Sequence, residues 1–276
     1  MSPGALLRRF ILIPLREIDS EAAQPSQSLR TPEFKALVTV LLTGVILTFN
    51  QYIVLRGAIQ GAVSEQLPDL IGLLFGASAG EWLGEYRSLL RNITWSLGCS
   101  FFYVVLPALV VKTVFQEELC EWGLSPNNYF RHLWIYALLF LPVLACVIAV
   151  SYTPEFQNNY PFYKQPQSWR DLLVWECFYA LQFFCLEFFF RGFMLHGLRE
   201  RYGSGAIYFM IVPYCMIHFQ KPFLETLGAI IAGLVLGILA LRTRSIWGGA
   251  TIHVAVAVSM DIAALVQTDR LPSSGF

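Results

Sequence analysis

Apolar residues in this chain come in long runs rather than in stripes. Seven stretches, 36–55, 93–115, 133–152, 172–198, 206–220, 222–241 and 247–266, are mainly apolar along their whole length. A helix needs about 20 such residues to cross a hydrocarbon core roughly 30 Å thick. The pattern therefore predicts an all-α polytopic membrane protein of about seven (six to eight) transmembrane helices enclosing a polar intramembrane cavity. The fifth run is short and the fourth long. The stretch 66–84 is glycine-rich and bracketed by Asp69 and Glu81, which suits an interfacial or re-entrant helix. Residues 153–169 hold three prolines and no periodicity, so they form a loop. At the N-terminus, 5–16 is an interfacial amphipathic segment and 17–32 a flexible lead-in. This gives four regions: a cytoplasmic amphipathic and flexible segment 1–34, N-terminal transmembrane helices and loops 35–169, a C-terminal core of transmembrane helices 170–266 and a tail 267–276.

Composition agrees with the runs. Of 276 residues 56% are hydrophobic and only 14% charged, against about 25% charged in soluble domains. The mean hydropathy is +0.55. A formal net charge of +0 gives no basic surplus, which excludes nucleic acid as a partner and leaves the lipid bilayer. The six cysteines include no CxxC pair, so neither a disulfide framework nor a thiolate zinc site is expected. Phe10–Leu15, interrupted by Pro14, is too short for a signal-peptide core. Arg199/Arg201 and Arg242/Arg244 mark short basic loops, and counting Lys and Arg on both sides places the N-terminus in the cytoplasm. The modest size suits a bacterial cell (inner) membrane.

Ionisable residues inside spans are costly and are functional candidates by default. Glu187 and Arg191 lie in the fourth run, His218 in the fifth and His253 in the seventh. At about 1.5 Å of rise per residue, Glu187, His218 and His253 stand roughly 16, 20 and 12 Å from the inner surface. Each also has a plain structural reading. Glu187 and Arg191 are spaced as a helical ion pair, His218 suits a satisfied core histidine, and the glycines before His253 suit a close helix crossing. Three helices placing a carboxylate and two imidazoles at similar depth favour a site. His132 falls at a span end. His196, nine residues from Glu187, falls on the opposite face of an α-helix, so both are left out.

Three motifs add to this. Glu187-Phe-Phe-Phe-Arg191 resembles the first motif, Glu-Glu-x-x-x-Arg, of the CPBP (Abi / CAAX-protease-like) intramembrane endopeptidases. Tyr214-Cys-Met-Ile-His218 is similar to the second, Phe-x-x-x-His, and His253-Val-Ala-Val-Ala257 to the third, His-x-x-x-Asn. Leu186 stands in place of the first glutamate and Ala257 in place of the asparagine. The resemblance implies an endopeptidase acting on peptide or protein substrates. In it Glu187 and His218 would activate water, His253 would support the oxyanion, and Arg191 would assist. It also implies a choice between a metal-free mechanism and a divalent metal such as zinc, with Glu187, His218 and His253 as candidate ligands. Leu186 and Ala257 keep open a catalytically impaired member acting as a binding or regulatory scaffold. A proton-coupled transporter is a further alternative, since Glu/His sets also build proton relays.

Overall fold

The structure is a computed structural model, and it describes residues 2–23, 29–126 and 129–272. Helices account for its regular structure, with no strand among the described residues. Three helical segments, Pro3–Leu7, Arg8–Leu12 and Ile13–Ala22, follow one another without a break and are taken together as α1. They are followed by α2 (Pro32–Val54), α3 (Ala58–Phe75), α4 (Ala77–Glu85), α5 (Arg87–Phe115) and α6 (Tyr129–Val150). The remaining helices are α7 (Pro154–Asn159), α8 (Trp169–Tyr202), α9 (Gly205–Met216), α10 (Phe223–Thr243) and α11 (Trp247–Gln267). Six of these, α2, α5, α6, α8, α10 and α11, are long and apolar enough to cross a membrane. This is a polytopic, integral membrane protein.

Three details differ from the sequence reading. Within 153–169, expected to be a loop, Pro154–Asn159 form a short helix that the Thr153 side chain caps by accepting from the Phe156 amide. The run 206–220 is helical only to Met216, after which 217–220 form turns. Twelve residues of helix rise about 18 Å, too little for a full crossing. Pro222 disfavours helical backbone just before it, which helps to end the segment there. The stretch 17–32, expected to be a flexible lead-in, is instead helical as far as Ala22. Part of that lead-in, 24–28, and part of the tail, 273–276, lie outside the described residues. The glycine-rich stretch 66–84 is the helical pair α3 and α4, turning at Gly76. These two approach so closely that a Cβ on Gly80 would lie 2.7 Å from the Pro68 carbonyl oxygen.

The chain divides into two compact units, and several helices contribute to both. The first comprises 1–45, 103–138 and 186–252. Its polar centre is Lys35, whose Nζ donates to Glu117 at 2.9 Å and Glu200 at 2.8 Å. The Trp122 indole donates to the same Glu117 at 3.0 Å and stacks on Phe115 and Phe193. Here α9 and α10 pack through Gly233 and Gly237, where a Cβ would meet Ile211 at 2.9 Å and Ile207 at 3.0 Å.

The second unit comprises 46–102, 139–185 and 253–276. One apolar cluster joins Leu89, Tyr163, Leu172, Trp175, Tyr179, Ala257 and Leu265. Asp261 is fully buried in this unit, accepting hydrogen bonds from the Phe162 amide at 3.1 Å and the Trp175 indole at 3.0 Å. A buried carboxylate persists only when its oxygens are satisfied, and these two donors do that.

Candidate active site in the first unit

The chemistry-bearing part of α8 is not α-helical. Phe188–Met194 form a π-helical segment directly after Glu187. Bonding to the fifth residue along widens each turn, and such widened turns recur at functional sites. Glycine makes the packing feasible: a Cβ on Gly192 would stand 2.7 Å from the Trp122 carbonyl oxygen and 2.9 Å from the Phe188 ring.

Glu187 and Arg191 are both completely buried. The Glu187 Oε1 and Arg191 Nη1 atoms are 3.0 Å apart, yet the angle does not make a hydrogen bond, so the pair is a charge contact. The second carboxylate oxygen, Oε2, faces Gly249, where a Cβ would come within 2.8 Å of it. The guanidinium carbon lies 3.9 Å from the Tyr214 ring centroid, a cation–π contact. Phe190 meets the same ring edge-on at 5.2 Å.

Tyr214 leads on to His218. Their rings meet edge-on at 4.9 Å, and His218 Nδ1 lies 2.7 Å from the Tyr214 carbonyl oxygen. His218 sits in the turn after α9, held there by the hydrogen bond its amide donates to the Cys215 carbonyl and by the Thr226 hydroxyl, which donates to the His218 carbonyl at 2.7 Å. Glu187, Arg191 and His218 thus belong to one series of contacts within the first unit, with Tyr214 in the middle. His253 belongs to the second unit, where its ring lies 4.4 Å from that of Phe183.

The positions where this chain departs from the motifs are apolar and packed. Leu186 is buried, and Ala257 sits in the aromatic cluster of the second unit. Among the described residues no group of three or more His, Cys, Asp or Glu side chains is gathered so as to hold a metal ion. Within the first unit Glu187 and His218 are two candidate ligands, fewer than the three protein ligands a catalytic zinc usually takes.

Sequence reasoning passed over three features. His196 is buried against the widened turn, its Nδ1 2.9 Å from the Gly192 carbonyl oxygen and 3.2 Å from that of Arg191. Glu176 and Asp261 are acids within apolar runs, the same signal that drew attention to Glu187. The Tyr214 ring was visible as a motif position, but its place under the Arg191 guanidinium was not.

The family model described as Type II CAAX prenyl endopeptidase Rce1-like matches residues 166–259. Two mammalian proteins are also similar, each named transmembrane ascorbate-dependent reductase CYB561. The bovine one is 26% identical over 239 residues, covering 74% of this chain and 91% of the relative. The sheep one is 25% identical over 239 residues with the same coverage. No solved structure matches. The stretch that holds Glu187, Arg191, Tyr214, His218 and His253 is thus the stretch similar to the CAAX prenyl endopeptidase family, in agreement with the three motifs.

Proposed function

We propose that this protein is an intramembrane endopeptidase that cleaves peptide or protein substrates with water activated by Glu187 and His218. The observation that carries the reading is the buried carboxylate of Glu187, set beside Arg191 on a widened turn inside the residues matched by the endopeptidase family. A membrane protein keeps such a charge in its interior at considerable cost, which is why intramembrane ionisable groups mark working sites.

Arg191 fixes Oε1, so Oε2, on the Gly249 side, is the oxygen that takes a proton. In this mechanism water attacks the scissile carbonyl carbon and its proton passes to Glu187. The same proton then goes to the departing amine as the C–N bond breaks, leaving a new carboxylate and a new amine. His218 orients the water, and Tyr214 holds both His218 and Arg191 in place.

A second reading has its own support. With Arg191 on Glu187 and apolar residues at 186 and 257, the fold also suits an impaired member that binds peptides without cutting them. The names of the two mammalian relatives suggest a third, transmembrane electron transfer from ascorbate.

A cleavage assay on purified protein, with a panel of membrane-associated peptides and with and without chelator, separates the three. The proposal expects chelator-insensitive cleavage by the wild type, lost in Glu187→Gln and in His218→Ala. Peptide binding without cleavage in all three proteins supports the scaffold. Ascorbate-dependent reduction of an acceptor across vesicles, with no cleavage, supports the reductase.

A further inference from the structure

The helix α1 is divided by charge. Residues 2–16 carry Arg8, Arg9 and Arg16 and no acid, whereas Glu17, Asp19 and Glu21 follow within one and a half turns. The acidic part is tied to the first unit. Glu17 meets Arg242 at 3.0 Å, Glu21 meets Arg244 at 3.3 Å, and the Asp19 carboxylate accepts the Ser204 amide at 2.7 Å. Gly203, with φ +55°, lies so close to the same carboxylate oxygen that a Cβ there would collide with it. Ser204 joins α8 to α9 and Arg242 stands in the last turn of α10, so the ties sit at the ends of membrane helices.

The basic part is different. Leu6, Leu7, Phe10, Leu12 and Ile13 are exposed, Phe10 by 61% and Leu7 by 50%, and the three arginines are exposed among them. Apolar area left in water costs about 25 cal/mol per Å², so this part of the helix requires a covering. Its tether at the helix ends holds it at the membrane boundary, where an apolar face enters the acyl region and arginines meet phosphates. We propose that the first half of α1 docks on the anionic headgroups of the membrane in which the protein sits. The cationic charge selects anionic over zwitterionic lipid, and the acidic half passes that contact to the ends of α8 and α10. This is independent of the proposed proteolysis.

Hydrogen exchange of the full chain tests it in vesicles of phosphatidylcholine with and without phosphatidylglycerol. Amides 4–13 are expected to exchange on the order of a hundredfold more slowly with the anionic lipid, about fivefold per arginine. High salt removes the difference in the wild type, so the test does not depend on any variant folding. The variant Arg8→Gln/Arg9→Gln/Arg16→Gln should lose it while α10 exchanges as before. Equal protection in both lipids would overturn the proposal. So would protection in detergent that rises with protein concentration, which would make a second copy the occupant.

Discussion

Glu187 and Arg191 form a closed ion contact on the widened turn of α8, Oε1 to Nη1 3.0 Å, with both side chains out of reach of solvent. Such a pair is poor evidence of stability, because desolvating two charges offsets much of their attraction, yet removing one partner strands the other. Arg191→Met is therefore expected to destabilise by about 3–5 kcal/mol. Adding Glu187→Gln to it should restore most of the loss. Unfolding midpoints in detergent across the double-mutant cycle check this, and an additive cycle would mean that the two charges do not interact.

Gly249 is the wall behind the second carboxylate oxygen. Gly249→Ala places a methyl 2.8 Å from Oε2, so the carboxylate must move. Overpacking of this kind costs about 1–3 kcal/mol. The proposed cleavage should fall at least about tenfold, as displaced catalytic groups lose rate steeply. Gly44→Ala, where nothing lies within 4 Å, is the control and should leave turnover unchanged. Equal turnover in the two variants would remove Oε2 from the mechanism.

Ala257→Asn restores the residue of the third motif but puts an amide among Trp175, Tyr179 and Leu172. A buried amide without partners costs about 1–3 kcal/mol by protein mutational measures. The expectation is a lower unfolding midpoint and no gain in cleavage. A stable variant with raised cleavage would show that position 257 reaches the reacting groups.

Asp261 ties the 153–169 connection to α8 and α11 by accepting from Phe162 and Trp175. Asp261→Ala leaves the buried Trp175 indole N–H and the half-buried Phe162 amide without their acceptor, the buried group at a cost of about 1–3 kcal/mol. Asp261→Asn keeps an acceptor and should lose markedly less. Chemical unfolding followed by tryptophan fluorescence measures both.

Much of the fold was legible because a bilayer enforces one simple rule, a long apolar run for each crossing. The ends of elements were less legible. Residues 206–220 are apolar throughout, but the turn that carries His218 depends on Thr226 and Pro222, outside the run. Glu17, Asp19 and Glu21 resemble a solvated linker until their partners Arg242, Ser204 and Arg244 are brought near by the fold. His196 was placed by counting about 100° per residue from Glu187. The π-helical turn at Phe188–Met194 rotates less per residue, and the imidazole ends on the Arg191 and Gly192 carbonyls. Apolar residues throughout that turn gave no sign of the change.

The central claim is that water held by Glu187 and His218 cleaves a peptide bond. It is tested most directly by running the purified protein on membrane-associated peptides in oxygen-18 water and analysing the products by mass spectrometry. The account predicts one heavy oxygen in each new C-terminal carboxylate with the wild type, and no such product with Glu187→Gln that is helical and folded at the assay temperature. Labelled product at an undiminished rate from Glu187→Gln would contradict it.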